Sequence, residues 1–201
     1  MQPNVDIAEA LRQGFNLYKE NITTLLLVTL LATVISACTV GILAGPMMAG
    51  LALVVLRLID KTEPKPEVGD LFKGFDFFIP SLVFAILVIV AQLAGRFILF
   101  WIPILGYFLG ILYSVALSTF LMFTIYLLVD RKLDVVAAIQ QSIDLVKKNF
   151  WIFLGLNIIV GLVSAIGIFA CGIGILVTMP IYATTIGLVY RNLHPAGQPS
   201  A

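Results

Sequence analysis

The chain has 201 residues, 61% of them hydrophobic and 11% charged, with a formal net charge of +1. A soluble domain carries roughly half apolar and a quarter charged residues. This composition therefore excludes an ordinary soluble fold and places one domain in the bilayer. The small net charge hides a strong asymmetry: 11 of the 12 Lys and Arg fall in the N-terminus, residues 57–73, residues 131–148 and the C-terminus, and only Arg96 lies elsewhere.

The first 20 residues include Asp6, Glu9, Arg12, Lys19 and Glu20 and lack the cationic start, short apolar core and cleavage site of a signal peptide. No lipidation signature accompanies them. The first apolar segment is therefore expected to act as the insertion signal and to stay in the mature protein. Within this stretch Ile7, Ala8, Leu11, Phe15 and Tyr18 recur at helical spacing, opposite Asp6, Glu9, Arg12, Gln13 and Asn16. That is the period of an amphipathic helix, expected to lie along the membrane interface.

Three apolar blocks follow, at 22–56, 77–129 and 150–190, of 35, 53 and 41 residues. One crossing takes about 20 helical residues, so each block is read as two spans. The breaks are expected at 38–46, 95–106 and 167–180, with Pro46, Pro103 and Pro180 in the first turn of each returning helix. Six spans put all four charged segments on one side, and positively charged loops stay cytoplasmic. Both termini are thus expected inside. The first block is the tightest, and a short, tilted or re-entrant hairpin is its alternative.

Between the first two blocks Val68, Leu71, Phe72 and Phe75 share one face of a second short amphipathic segment, weakened by Gly69 and Gly74. Before the third block, Leu133 to Asn149 (LDVVAAIQQSIDLVKKN) repeats Val5 to Asn21 (VDIAEALRQGFNLYKEN). Identical pairs are Asp6/Asp134, Ala10/Ala138, Gln13/Gln141, Leu17/Leu145, Lys19/Lys147 and Asn21/Asn149, and Val135, Val136, Ile139, Ile143 and Val146 form its apolar face. Each copy leads into a Cys, a Gly, a Pro and an Arg: Cys38, Gly41, Pro46 and Arg57 against Cys171, Gly174, Pro180 and Arg191.

The expected fold is an all-α integral membrane protein with six transmembrane helices, built as three parallel repeats of cytoplasmic interfacial amphipathic helix plus transmembrane hairpin. The repeats cover about 5–60, 66–130 and 132–193, followed by a polar, disordered tail at 194–201 that holds the single His194. The amphipathic helices either seal the cytoplasmic rim or bind lipid headgroups or a partner. Their mixed charge gives no dedicated anionic-lipid patch.

Ionisable residues inside a bilayer point to function, and none is evident at mid-depth. Arg96 lies about 28 Å along a helix from Phe77, at the far interface near Trp101; it is either structural or an anion or lipid-phosphate contact. Asn157, about 12 Å past Asn149, sits near the midplane, and Gln92 lies toward the outer half. Both are expected to hydrogen-bond across helices; the alternative is a polar path using Asn157, Thr119 and Ser118. Cys38 and Cys171, at matching outer positions, either form a disulfide or pack as small residues. Gly41-x-x-x-Gly45, Gly106-x-x-x-Gly110 and Gly161-x-x-x-Ala165 are expected at close helix contacts. No catalytic constellation, metal cluster or phosphate loop is apparent, so no enzyme activity, metal or cofactor is expected. The expected partners are membrane lipids, a second copy or another membrane protein, and no nucleic acid.

The stretch from Asp134 through Ala138, Ser142 and Leu145 to Asn149 resembles the "D-x-x-x-A-hydrophobic-x-x-S-x-x-L-x-x-x-N" pattern of a broad bacterial group. That group comprises YciC-like proteins and the membrane domain fused to some glycerophosphodiester phosphodiesterases. Pro103, the span after it, and Val129-Asp130 also fall where the pattern expects them. The resemblance implies a polytopic protein of the bacterial cytoplasmic (inner) membrane. The catalytic phosphodiesterase domain has no counterpart here. The leading functional expectation is a non-enzymatic assembly, scaffold or accessory component. The alternative is a passive conduit or lipid-handling protein with a groove between repeats, discriminated by whether Arg96, Asn157 and Gln92 face one cavity. A coupled transporter comes third, weakened by the lack of embedded acids.

Overall fold

The computed structural model describes residues 7–101, 105–169 and 173–195, which form helices and no strand. In chain order these are α1 (Ile7–Glu20), α2 (Ile22–Cys38), α3 (Ala44–Ile59), a 3₁₀ helix (Val68–Phe77), α4 (Phe78–Phe100), α5 (Leu105–Leu121), α6 (Thr124–Asp130), α7 (Val135–Lys148), α8 (Phe150–Phe169) and α9 (Ile173–Leu193).

Among the described residues, two stretches are long and apolar enough to cross a membrane without a sharp bend, Val68–Leu99 and Leu105–Asp130. Two bent pairs raise the number to four if each counts as one span. Ala44–Ile59 is apolar but shorter. The bends are close to right angles: 91° between Ala8–Glu20 and Ile22–Cys38, and 103° between Val135–Lys148 and Phe150–Leu162.

The identical residues Asn21 and Asn149 make these corners. Asn21 leaves helical geometry (φ −125°), and both its backbone N–H and its Nδ2 donate to Leu17 O, at 3.2 and 3.0 Å. Its own carbonyl accepts the Leu25 N–H at 3.0 Å. One residue therefore satisfies the end of one helix and starts the next, as orphaned terminal groups require. Asn149 (φ −142°) does the same with Val146 O behind it and the N–H groups of Ile152 and Phe153 ahead.

The two copies bury the same register. Ala10, Gly14 and Tyr18 of α1 are buried, and so are Ala138, Ser142 and Val146 of α7. The larger apolar residues Phe15 and Val136 remain exposed. Each helix thus has a face of mostly small residues against protein, an adjoining apolar face left open, and a polar face. Among the residues of the expected faces whose burial is described, Tyr18 and Val146 are buried and the others are not; the closest contact is made by the small residues beside them.

The middle segment departs from expectation. Val68–Phe77 is a 3₁₀ helix, whose three-residue turn stacks i and i+3 side chains. Leu71 and Gly74 consequently face the core, while Phe72 and Phe75 are exposed. Phe72, Phe75 and Phe78 stack in sequence, with centroids 6.3 Å apart and planes within 10°. Val68, Leu71, Phe72 and Phe75 therefore do not share a face. Backbone contact explains the tighter winding: a Cβ at Gly74 would strike Pro46 O and the Gly50 backbone, and one at Gly50 would strike Leu71 O.

The expected small-residue contacts and proline positions are met in part. Gly45 lies against the backbone of Ser81. Val40 (φ +52°) and Gly41 (φ +84°) follow the end of α2 in left-handed geometry, and the Gly41 N–H donates to Ser36 O at 2.7 Å, closing the helix as a Schellman turn does. Gly110 and Gly161 face open space, so neither packs against another helix of the same chain, and the side chain of Ala165 lies outside the described residues. Pro46 falls in the first turn of α3, whereas Pro180 lies inside α9, which begins at Ile173. The returning helix therefore starts earlier than the proline suggests. Pro103 lies outside the described residues.

Packing runs in a ring. The 3₁₀ helix lies on α3, α7 lies on α5 and α6, and α1 lies on α9, while α3 touches both α6 and α9. The core follows this centre: residues 124–129 of α6 are all buried, as are most of α3 and Ala183–Gly187 of α9.

Candidate functional site

Two features gather polar or unfilled space. The first is a cavity of about 210 Å³ among α3, α4, α5, α6 and α9. Its wall is mainly apolar, including Leu51, Phe84, Val88 and Leu121, with Gln92, Ser118, Tyr126 and Tyr182 as its polar points. These points are bonded to the surrounding helices. Ser114 Oγ donates to Gln92 Oε1 at 2.9 Å, and Tyr126 OH donates to Ala183 O at 2.8 Å. Behind the wall, the buried Asn157 joins three helices: its Nδ2 donates to Ser118 Oγ (2.8 Å) and Thr119 Oγ1 (2.9 Å) of α5, and its Oδ1 accepts from Tyr182 OH of α9 at 3.2 Å.

The expected site residues thus separate. Gln92 lines the cavity, Asn157 reaches it only through Ser118 and Tyr182, and Arg96 is exposed on α4 away from the cavity wall. A single polar path through all three is not formed. Cys38 is exposed at the end of α2, and Cys171 lies outside the described residues.

The second feature is a charged cluster where α3, α6 and α9 end together. Arg191 Nη2 bonds Asp60 Oδ2 at 2.8 Å and Asp130 Oδ1 at 3.0 Å, and Nη1 bonds Asp130 Oδ2 at 3.1 Å. Tyr190 OH donates to Asp130 Oδ2 at 2.8 Å. Two carboxylates at helix C-termini oppose the helix dipole. The fork of Arg191 answers both, which a lysine's single ammonium does less well. Burial, first, and then Asp130 raise the Asp60 carboxyl above its ordinary value, against the pull of Arg191. A neighbouring group repeats the theme: Arg57 Nη1 lies 2.6 Å from Asp70 Oδ2 and Lys73 2.7 Å from Asp70 Oδ1.

His194 belongs to this cluster rather than to a disordered tail. It is buried, its ring stacks on Tyr190 at 5.1 Å, and its N–H bonds Tyr190 O at 2.9 Å. Burial, with Arg131 and Arg191 nearby, lowers its pKa below the ordinary histidine value although Asp130 opposes the shift. The polar tail HPAGQPSA concealed this docking, since Tyr190 lies one helical turn before His194. Asp60 and Asp130 were likewise missed. Asp130 enters the sequence reading only as part of the Val129-Asp130 pattern, and nothing in the sequence links it or Asp60 to Arg191.

No family model, curated protein or solved structure matches the chain. Among the described residues no group of His, Cys, Asp and Glu is arranged to hold a metal.

Proposed function

We propose that this chain is a non-enzymatic, multi-pass protein of the bacterial cytoplasmic membrane that serves as an assembly, scaffold or accessory component. Its six apolar helices form three parallel modules, each an interfacial helix followed by a hairpin, with both termini and the charged cluster on the cytoplasmic side. The right-angle corners at Asn21 and Asn149 and the shared buried register of α1 and α7 support the module reading. So does the ring order, in which each interfacial segment packs on the last helix of the preceding module. Membership of the YciC-like group is part of this proposal and rests on the residues quoted above.

One observation carries the function. Asn157, Ser118, Thr119 and Tyr182 bond one another, and Gln92 takes Ser114. The groups a solute path would use are thereby committed to holding helices together. Native mass spectrometry from mild detergent tests it: a defined homo-oligomer or a stoichiometric protein partner is expected. A bare monomer with no partner after crosslinking in the membrane overturns it. A second reading, lipid handling, is favoured by the cavity between the modules.

A further inference from the structure

We infer that the cavity beside Gln92 and a larger one adjoining it form a single site for the acyl chain of a membrane phospholipid. This rests on the lipid-handling reading. The second cavity, about 520 Å³, lies between α2, α3 and α9 and is lined by residues such as Ala32, Ser36, Ala37 and Val40. The two share Met48 and Met179 as their common wall.

The methionines are concentrated there. Of the five in the chain, Met1 is terminal and the other four all line this pair: Met47, Met48, Met122 and Met179. Methionine is unbranched, polarizable and able to re-pack around ligands of varied shape. Chance does not readily put every internal copy of a scarce residue against the same space. No charged side chain lines either cavity, so the occupant is uncharged where it is held.

Place and size narrow the occupant further. Along α3 the lining runs from Ala44 to Ala52, about 12 Å of helix. It extends from the Tyr182 wall to the α2–α3 turn, at the opposite end of α3 from Arg57 and Asp60. A transmembrane helix of a partner needs a cylinder about 10 Å across, which these volumes do not admit. A polar solute would meet side chains already bonded to the protein. A hydrocarbon chain entering at the turn, with its headgroup left outside, meets neither obstacle. With no charge near the mouth, chain and not headgroup is recognised, so phosphatidylethanolamine and phosphatidylglycerol enter equally.

The test uses the full chain in vesicles of phosphatidylethanolamine and phosphatidylglycerol. A small fraction of phosphatidylcholine carries a diazirine near the end of one acyl chain. After illumination, adducts are mapped by peptide mass spectrometry. Adducts are expected at Met122, Met179 and Leu121, besides those on the outward residues Ile86 and Leu93. Ala52→Phe fills the smaller cavity, and Ala37→Trp narrows the larger one from an exposed position that does not disturb the core. Each is expected to cut cavity adducts about tenfold, the loss when two methylenes of contact are shut out, with labelling of Ile86 and Leu93 unchanged. Labelling confined to the outward residues, or cavity labelling indifferent to Ala37→Trp, overturns the site. Movement of a fluorescent phospholipid between leaflets of the same vesicles reads lipid handling separately. Movement without cavity adducts removes the site and keeps that reading, whereas adducts without movement keep the site and remove the reading.

Discussion

Arg191 Nη2 meets Asp60 Oδ2 at 2.8 Å across 131 residues of chain, and the same guanidinium grips Asp130 through both nitrogens. One cation thereby ties the ends of α3, α6 and α9. Its side chain is 11% exposed, so removing it leaves two poorly hydrated carboxylates facing each other. Arg191→Gln is expected to destabilise the fold by about 2–4 kcal/mol, somewhat less than for a fully buried pair. Arg191→Lys should lose roughly half of that, because the fork is gone while the charge stays. Unfolding of the purified protein in mixed micelles, titrated with SDS, measures both; equal stability of Arg191→Gln and wild type would remove the tie.

Asn157→Leu breaks three interhelical contacts and leaves Tyr182 OH without its acceptor. Hydrogen bonds between membrane helices contribute about 1 kcal/mol each or less, so a loss of about 1–2 kcal/mol is expected in the same titration. Tyr182→Phe should cost less, since Asn157 keeps its bonds to Ser118 and Thr119.

The glycines separate by what surrounds them. Gly74→Ala drives a methyl into the backbone of α3 and is expected to cost about 1–3 kcal/mol through overpacking. Gly110→Ala and Gly161→Ala place the methyl in open space and should be neutral, or stabilising by roughly 0.5–1 kcal/mol. Thermal unfolding in detergent ranks the three. A Gly110 variant as damaged as the Gly74 variant would contradict the packing described.

His194 predicts a pH dependence with a definite sign. Its pKa is lowered from 6.5 in the folded protein, so below about 6.5 the unfolded chain binds a proton that the folded chain resists. Stability is full above that pH and declines as the pH falls through the folded value. His194→Phe retains a ring to stack on Tyr190 and should abolish this decline. Asp60 acts oppositely at lower pH: its raised pKa makes protonation easier in the folded state, so part of the loss is recovered there. Melting temperatures of the two proteins from neutral to mildly acidic buffer check the sign, and parallel curves would refute it.

Cys38 reports on topology. It is exposed at the end of α2 remote from the α1–α2 corner, so six full spans put it on the periplasmic face. In a Cys171→Ser background, a membrane-impermeant maleimide added to intact cells is expected to label Cys38. Labelling only after lysis would mean that the first hairpin re-enters the cytoplasmic side.

Local pattern revealed local structure and little else. The apolar blocks and the amphipathic period are visible in the sequence because each is encoded by neighbours a few residues apart, whereas Asn21 and Asn149 show there only as an identical pair and not as corners. Gly69 and Gly74 signalled a weak helix, but the tighter 3₁₀ winding depends on α3 lying against Gly74, which no local period records. The same holds for Ala10 and Ala138. Their identity was plain, yet their partners lie on α9 and on α5–α6, and amphipathicity names a face without naming what covers it. His194, Asp60 and Asp130 converge only after three helices end together. The methionine-lined space is assembled from residues as distant as Met47 and Met179, so a linear reading sees four scattered residues.

The contact between α1 and α9 sets a schedule for biogenesis. Thr184 Oγ1 donates to Gly14 O across 170 residues, so α1 leaves the ribosome long before the helix it docks on. At about 5–20 residues per second, Ala10 and Gly14 wait roughly 10–30 s for their partner. Every nascent intermediate is an open arc with a sticky end, and a ribosome stalled before α9 releases a chain that the cell's membrane quality control can distinguish from the finished one.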